Sequence, residues 1–128
     1  MNKEFTILLV DDSPASNALA TIYIKKTKVC NNIVTVLNGY EALKYFKSNS
    51  VPNLTFVDIN MPKMNGFDLL DELKKDNLLK NSRFCILSSS KDQDDLSRAK
   101  SYRDVQFMSK PINKNKLDNL FKDLKIKS

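Results

Sequence analysis

Five short apolar runs alternate along this chain with stretches whose apolar residues recur at helical spacing. The runs are Phe5 to Val10, Ile33 to Leu37, Leu54 to Asp58, Phe84 to Leu87 and Val105 to Met108. The first is apolar along nearly its whole length, which predicts a central strand buried on both faces. Between the runs, Ala15, Ala18, Leu19 and Ile22 fall at i, i+3, i+4 and i+7. That spacing predicts a first helix to about Lys26, with those four residues as its apolar stripe. Ser13 suits its N-cap and Pro14 its first turn. Further stripes are Ala42, Leu43 and Phe46; Phe67, Leu69, Leu70 and Leu73; Leu96 and Ala99, after a start near Asp92; and Leu117, Leu120, Phe121 and Leu124. Strand and helix alternating five times predicts an α/β doubly wound fold. The sheet is mainly parallel, with right-handed crossovers and helices on both faces. The 128 residues leave none over for a second domain, so residues 1–128 are expected to form one. Two glycines predict few left-handed turns.

In such a sheet the C-terminal ends of the strands share one edge, and ligands bind there. The first strand ends in Asp11-Asp12 and the third in Asp58, before a loop marked by Asn60, Pro62, Asn65 and Gly66. The fourth ends in Ser88-Ser89-Ser90 and the fifth in Ser109-Lys110-Pro111. Each feature alone is ordinary: a solvated acidic turn, a serine loop, a surface lysine beside a proline. Together they bring three carboxylates, a hydroxyl and an ammonium to one crevice. Three carboxylates repel and need a cation, and an all-oxygen pocket suits Mg2+. With Mg2+ bound, Asp58 keeps an oxygen free to attack an electrophile. Mg2+, Lys110 and Ser88 then surround an anion with several oxygens, such as a transferring phosphoryl group. Attack by aspartate on phosphorus gives an acyl phosphate.

The same residues carry a resemblance. Asp11-Asp12 after Leu8-Leu9-Val10, Asp58-Ile59-Asn60-Met61-Pro62 with Gly66 eight residues on, Ser88-Ser89 and Lys110-Pro111 resemble the receiver domain of two-component response regulators, over nearly the whole chain. The resemblance implies a flavodoxin-like five-stranded parallel sheet in the order 2-1-3-4-5. It implies that Asp58 accepts a phosphoryl group from a phosphohistidine on a sensor histidine kinase or histidine phosphotransfer protein. Asp12 would bind Mg2+ directly, Asp11 through water, and the Asn60 backbone carbonyl would be a further ligand. Lys110 would pair with the phosphoryl oxygens and Ser88 would donate to them. Phe107 stands where the family has its switch aromatic and would couple Asp58 to the face of helix four, strand five and helix five, which controls a downstream partner or an output domain. Phe107 lacks the hydroxyl of a tyrosine switch, and Tyr102-Arg103-Asp104 stands where the family often has a small Gly-Ala pair. Asn60 and Ser90 flank the phosphoryl site and should tune attack by water.

Two alternatives use the same groups. One is a Mg2+-dependent phosphohydrolase with an aspartyl nucleophile, but Asn60 occupies the place of its second acid. The other is a receiver-like binding module that is never phosphorylated. The first reading makes the chain a phosphoacceptor rather than an enzyme.

Composition closes other routes. Two cysteines and no histidine do not make a zinc site. In the implied strand order, Cys30 and Cys85 stand about 14 Å apart across the sheet, too far to bridge. No run reaches the apolar length of a membrane span, and the short run after Met1 stops at Asp11, so a cytoplasmic protein is expected. The charge of +6 thickens toward the C-terminus at Lys110, Lys114, Lys116, Lys122, Lys125 and Lys127. It reads as a solvated face. No aromatics interleave with the lysines, so nucleic acid is not an expected partner.

Overall fold

The computed structural model describes residues 5–30, 32–48, 51–88, 93–102 and 105–126. Its elements run β1 (Thr6–Val10), α1 (Pro14–Thr27), β2 (Asn32–Val36), α2 (Gly39–Lys47), β3 (Leu54–Asp58), α3 (Gly66–Lys75), β4 (Arg83–Ser88), α4 (Gln93–Lys100), β5 (Val105–Ser109) and α5 (Lys114–Asp123). A 3-10 turn, Leu79–Asn81, precedes β4. The strands form one sheet in the order β2-β1-β3-β4-β5, parallel throughout. This is the doubly wound, flavodoxin-like order expected above. Asp92, Ser89, Ser90, Arg103, Asp104 and Lys127, all singled out in the sequence, lie outside the described residues.

The central strands bury both faces. Ile7 and Leu9 of β1 pack with Ala20 and Ile24 of α1 and with Leu117, Leu120 and Phe121 of α5. Leu8 and Val10 pack on the other side with Ala42 and Phe46 of α2, Leu69, Leu70 and Leu73 of α3 and Ala99 of α4. The rings of Phe46 and Phe84 stack at 5.8 Å. Each fully buried side chain of this size contributes roughly 1.5–3 kcal/mol. Cys30 is half-buried and Cys85 buried, both as free thiols.

The first helix departs from its stripe. Its buried residues are Asn17, Ala20 and Ile24. Ala15 and Ala18 are exposed, with Leu19 at 46% and Ile22 at 52%. Hydrogen bonding orients this helix: the Asn17 amide donates to the carbonyls of Asp11 (3.1 Å) and Val36 (3.4 Å), at the ends of β1 and β2. On the same face Ala20 and Ile24 pack against Ile7, Leu9 and Leu117, so a second apolar set, joined to a bonded polar residue, is the one that faces inward.

The helix starts are set by short polar side chains. Ser13 caps α1 as expected, accepting from the Ser16 N–H at 3.2 Å. Asn38, Asn65 and Asn113 cap α2, α3 and α5 in the same way. Left-handed backbone occurs at Lys28, Lys63, Asn77 and Lys125, and at neither glycine. Gly66 is needed for space: a Cβ there would lie 2.8 Å from the Asp58 carbonyl oxygen and 3.1 Å from Ile59 Cα. The loop after β3 thereby folds back tightly on the strand end that carries Asp58.

Candidate functional site

Three strands deliver the charged groups. Asp11 follows β1, and its N–H bonds the Val36 carbonyl at 3.2 Å, continuing the β1–β2 pairing one residue past the strands. Asp58 is the last residue of β3, and the next N–H, that of Ile59, bonds the Leu87 carbonyl at 2.9 Å. Lys110 follows β5 and donates its N–H to the Ser88 carbonyl at 2.8 Å. Strand pairing therefore holds the backbone at all three points, and the side chains leave the sheet together.

The carboxylates of Asp11, Asp12 and Asp58 each offer an oxygen within 4.8 Å of the other two. Asp11 and Asp58 are buried and Asp12 is exposed. The Lys110 ammonium lies 2.7 Å from Asp11 Oδ2 and 3.4 Å from Asp58 Oδ2. Asp11 Oδ1 accepts from the Ser13 N–H at 2.9 Å, so both Asp11 oxygens have protein partners. Asp58 Oδ1 accepts from the Asn60 N–H at 3.2 Å. Asp12 stands at the mouth. Fully ionised, three carboxylates and one ammonium sum to −2, the charge that one divalent cation neutralises. Hard oxygen donors in that number fit Mg2+.

The electrostatics point the same way. Burial pushes the Asp58 carboxyl above its ordinary value; the Lys110 charge opposes this and Asp11 adds to it. For Lys110, burial favours the neutral amine, but the Asp11 hydrogen bond and the two carboxylate charges outweigh it and raise its pKa. The site thus holds a constrained cation beside an acid whose negative charge is poorly solvated.

Of the residues singled out by sequence, Asp11, Asp12, Asp58 and Lys110 meet directly. Ser88 is fully buried at the end of β4, beside the Lys110 backbone. Asn60 is exposed, next to Asp58. Phe107 is half-buried in β5, opposite Ile86, and packs toward the α2–α3–α4 side. Two residues contribute in ways the sequence did not show: Asn17, and Lys116, which counts there only as part of a solvated face. Asn17 holds the Asp11 carbonyl, and its place three and seven residues before the apolar Ala20 and Ile24 was the available signal. Lys116 reaches the loop around Lys110, and a lysine in the first turn of a helix, against the dipole, was its signal.

A family model described as response regulator receiver domain matches residues 7–122. Response regulator Rcp1 of Synechocystis is 28% identical over 127 residues, covering 94% of this chain and 84% of that protein. The crystal structure of a two-component response regulator from Cytophaga hutchinsonii superposes with a TM-score of 0.84 at 32% identity, covering 96% of this chain and 98% of that one. The response regulator TrrA of Thermotoga maritima, solved in complex with Mg2+-BeF, superposes at 0.76 with 26% identity, over 94% of this chain and 98% of that one.

Proposed function

This chain belongs to the response regulator receiver domain family, and on that premise we propose that Asp58 is its phosphoacceptor. It is a receiver domain of two-component signalling, with an acidic pocket of the kind typical of a phosphoacceptor site. The observation that carries the proposal is the meeting of three carboxylates within 4.8 Å at one sheet edge, with Lys110 3.4 Å from Asp58.

Receiver domains are phosphorylated by histidine kinases, and the donor here is a phosphohistidine on a sensor kinase or a histidine phosphotransfer protein. An Asp58 oxygen attacks phosphorus, a P–O bond forms and the P–N bond breaks. The electron pair stays on the imidazole nitrogen, which takes up a proton. Lys110, already held beside Asp58, pairs with the phosphoryl oxygens, and Ser88 donates to one of them. Asp11, Asp12, Asp58 and the Asn60 carbonyl would hold Mg2+, with Asp11 acting through water, since both of its oxygens already have protein partners. Mg2+ supplies positive charge that offsets the phosphoryl oxygens. A solved relative containing Mg2+-BeF supports this assignment.

Phosphorylation then shifts Phe107 and the α4–β5–α5 face, which controls a partner protein. The residues act as one receiver unit, supported by the single five-stranded sheet. The chain performs self-phosphorylation and self-dephosphorylation rather than turnover of a substrate. Asn60, an amide two residues past Asp58, supports that reading. A cytoplasmic site of action fits two thiols that are both free.

The test is intact-mass spectrometry after incubation with acetyl phosphate, with and without Mg2+, on wild type and Asp58→Asn. A single phosphoryl adduct that needs both Mg2+ and Asp58 is the expected result. An adduct that survives Asp58→Asn would overturn the assignment.

A further inference from the structure

We infer that Lys116 is a positioning residue for Lys110. Its ammonium lies 2.9 Å from the Ser109 carbonyl, 3.2 Å from Ser109 Oγ and 3.0 Å from the Pro111 carbonyl. Three acceptors match the three N–H donors of an ammonium. The two carbonyls belong to the residues on either side of Lys110, so Lys116 grips the chain before and after it.

The place of Lys116 makes this contact informative. It sits in the first turn of α5, a turn with no acidic residue. A cation there faces the positive end of the helix dipole, so it needs partners elsewhere. The other lysine of that turn, Lys114, takes the ordinary solution: it pairs with Asp118 four residues on, at 2.8 Å. Lys116 instead turns back over the helix end to the β5–α5 loop. Its backbone N–H is itself fixed by the Asn113 cap at 2.9 Å. The side chain is therefore a strut between a capped helix and the loop that carries Lys110.

On the other side, the Lys110 N–H is held by the Ser88 carbonyl at 2.8 Å. Lys110 is thus anchored to β4 by its own amide and to α5 through its neighbours. Only with that backbone set does its flexible stem bring the ammonium to Asp11 and Asp58. Lys116 acts through Lys110, and nothing places it on the phosphoryl group. The inference rests on the reading of Lys110 as the partner of that group.

The test uses the full chain as Lys116→Met, which removes the ammonium and keeps most of the stem of a partly exposed side chain, so the fold is retained. Lys114→Met is the control from the same turn. Two quantities are read: the rate of Mg2+-dependent phosphorylation by acetyl phosphate, and the NMR chemical shifts of the Lys110 side chain at pH 7, assigned through Lys110→Arg. Lys116→Met is expected to slow phosphorylation about 3- to 10-fold, the scale of a modest misplacement. It should also move the Lys110 side-chain chemical shifts away from those of wild type, while Lys114→Met leaves both the rate and those shifts at wild type. An unmoved Lys110 signal in Lys116→Met overturns the inference, whatever happens to the melting temperature, because a purely structural strut would lower stability alone. If wild type takes no phosphoryl group, the functional reading fails, and the Lys110 signal still decides on Lys116.

Discussion

The Tyr102 hydroxyl lies 2.5 Å from Asp71 Oδ1, binding the end of α4 to the outer face of α3. Arg98 completes the contact. Its guanidinium is 3.3 Å from Asp71 Oδ2 and lies over the Phe67 ring at 4.6 Å, and that ring stacks on Tyr102 at 6.0 Å. α4, whose apolar stripe is short, is thus attached to its neighbour largely by its polar end. Its position matters because α4 forms part of the proposed output face.

That bond has a pH signature. Burial, then the Asp71 hydrogen bond and charge, push the Tyr102 hydroxyl up to about 12 from 10.0, with Arg98 opposing. The folded state keeps this proton after the unfolded state has lost it. Stability from this group is complete below about 10 and is lost as pH rises toward 12. In an alkaline absorbance titration, Tyr102→Phe should remove a late-ionising component. At neutral pH it should cost about 1 kcal/mol in urea unfolding, the usual worth of one hydrogen bond. A titration curve that loses only an early component would contradict the contact.

Asp58 should destabilise the resting fold. Its pKa is raised, chiefly by burial, so the folded state binds a proton more readily than the unfolded state. As pH rises from the ordinary carboxylate value through the raised one, the group makes a growing unfavourable contribution. Asp58→Asn should therefore melt several degrees higher than wild type at pH 7, and the gap should close toward pH 3. Mg2+ should raise the wild-type melting temperature, by about 2.7 kcal/mol of stability at a hundredfold excess over its Kd, and do far less for Asp58→Asn. Equal Mg2+ stabilisation of both proteins would remove Asp58 from the ligand set.

The rotation of α1 separates two kinds of substitution. Asn17→Ala leaves the Asp11 and Val36 carbonyls without their side-chain donor and should cost about 1–3 kcal/mol. Leu19→Gln and Ile22→Gln, on the exposed face, should stay within about 0.5 kcal/mol of wild type. Chemical denaturation of the three variants checks this, and the reverse ranking would mean that the apolar stripe is the buried face after all.

The two glycines should respond differently to alanine. At Gly66 the new methyl meets backbone, the Asp58 carbonyl at 2.8 Å, which cannot yield without moving the site. Gly66→Ala should cost about 1–3 kcal/mol and also slow phosphorylation. At Gly39 it meets the Met64 side chain along its length, with the sulfur at 2.6 Å, Cγ at 2.8 Å and Cβ at 3.1 Å, and no backbone nearer than these. Gly39→Ala displaces a buried side chain and should cost about 1–3 kcal/mol, but it should slow phosphorylation less than Gly66→Ala does, because it meets no backbone of the strand end that carries Asp58. Calorimetry together with the acetyl phosphate assay distinguishes the two.

Local patterns in the chain determined the element order, the α/β class and the residues at the strand ends. Each depends on neighbours along the sequence: apolar runs make buried strands, and an acid or lysine that follows a run must leave the sheet at its end. Asp11, Asp12, Asp58 and Lys110 could be grouped before any coordinates because parallel strands bring like ends together. Only the tertiary structure decided which side of α1 faces inward, that Asn17 rather than Leu19 or Ile22 is buried, and that Gly66 is needed for a close approach rather than a left-handed turn. The reach of Lys116 to both sides of Lys110, and of Tyr102 to Asp71, belongs there too. These contacts join groups whose distance and direction depend on how whole elements pack, and spacing along one element carries no record of the partner that packing brings against it.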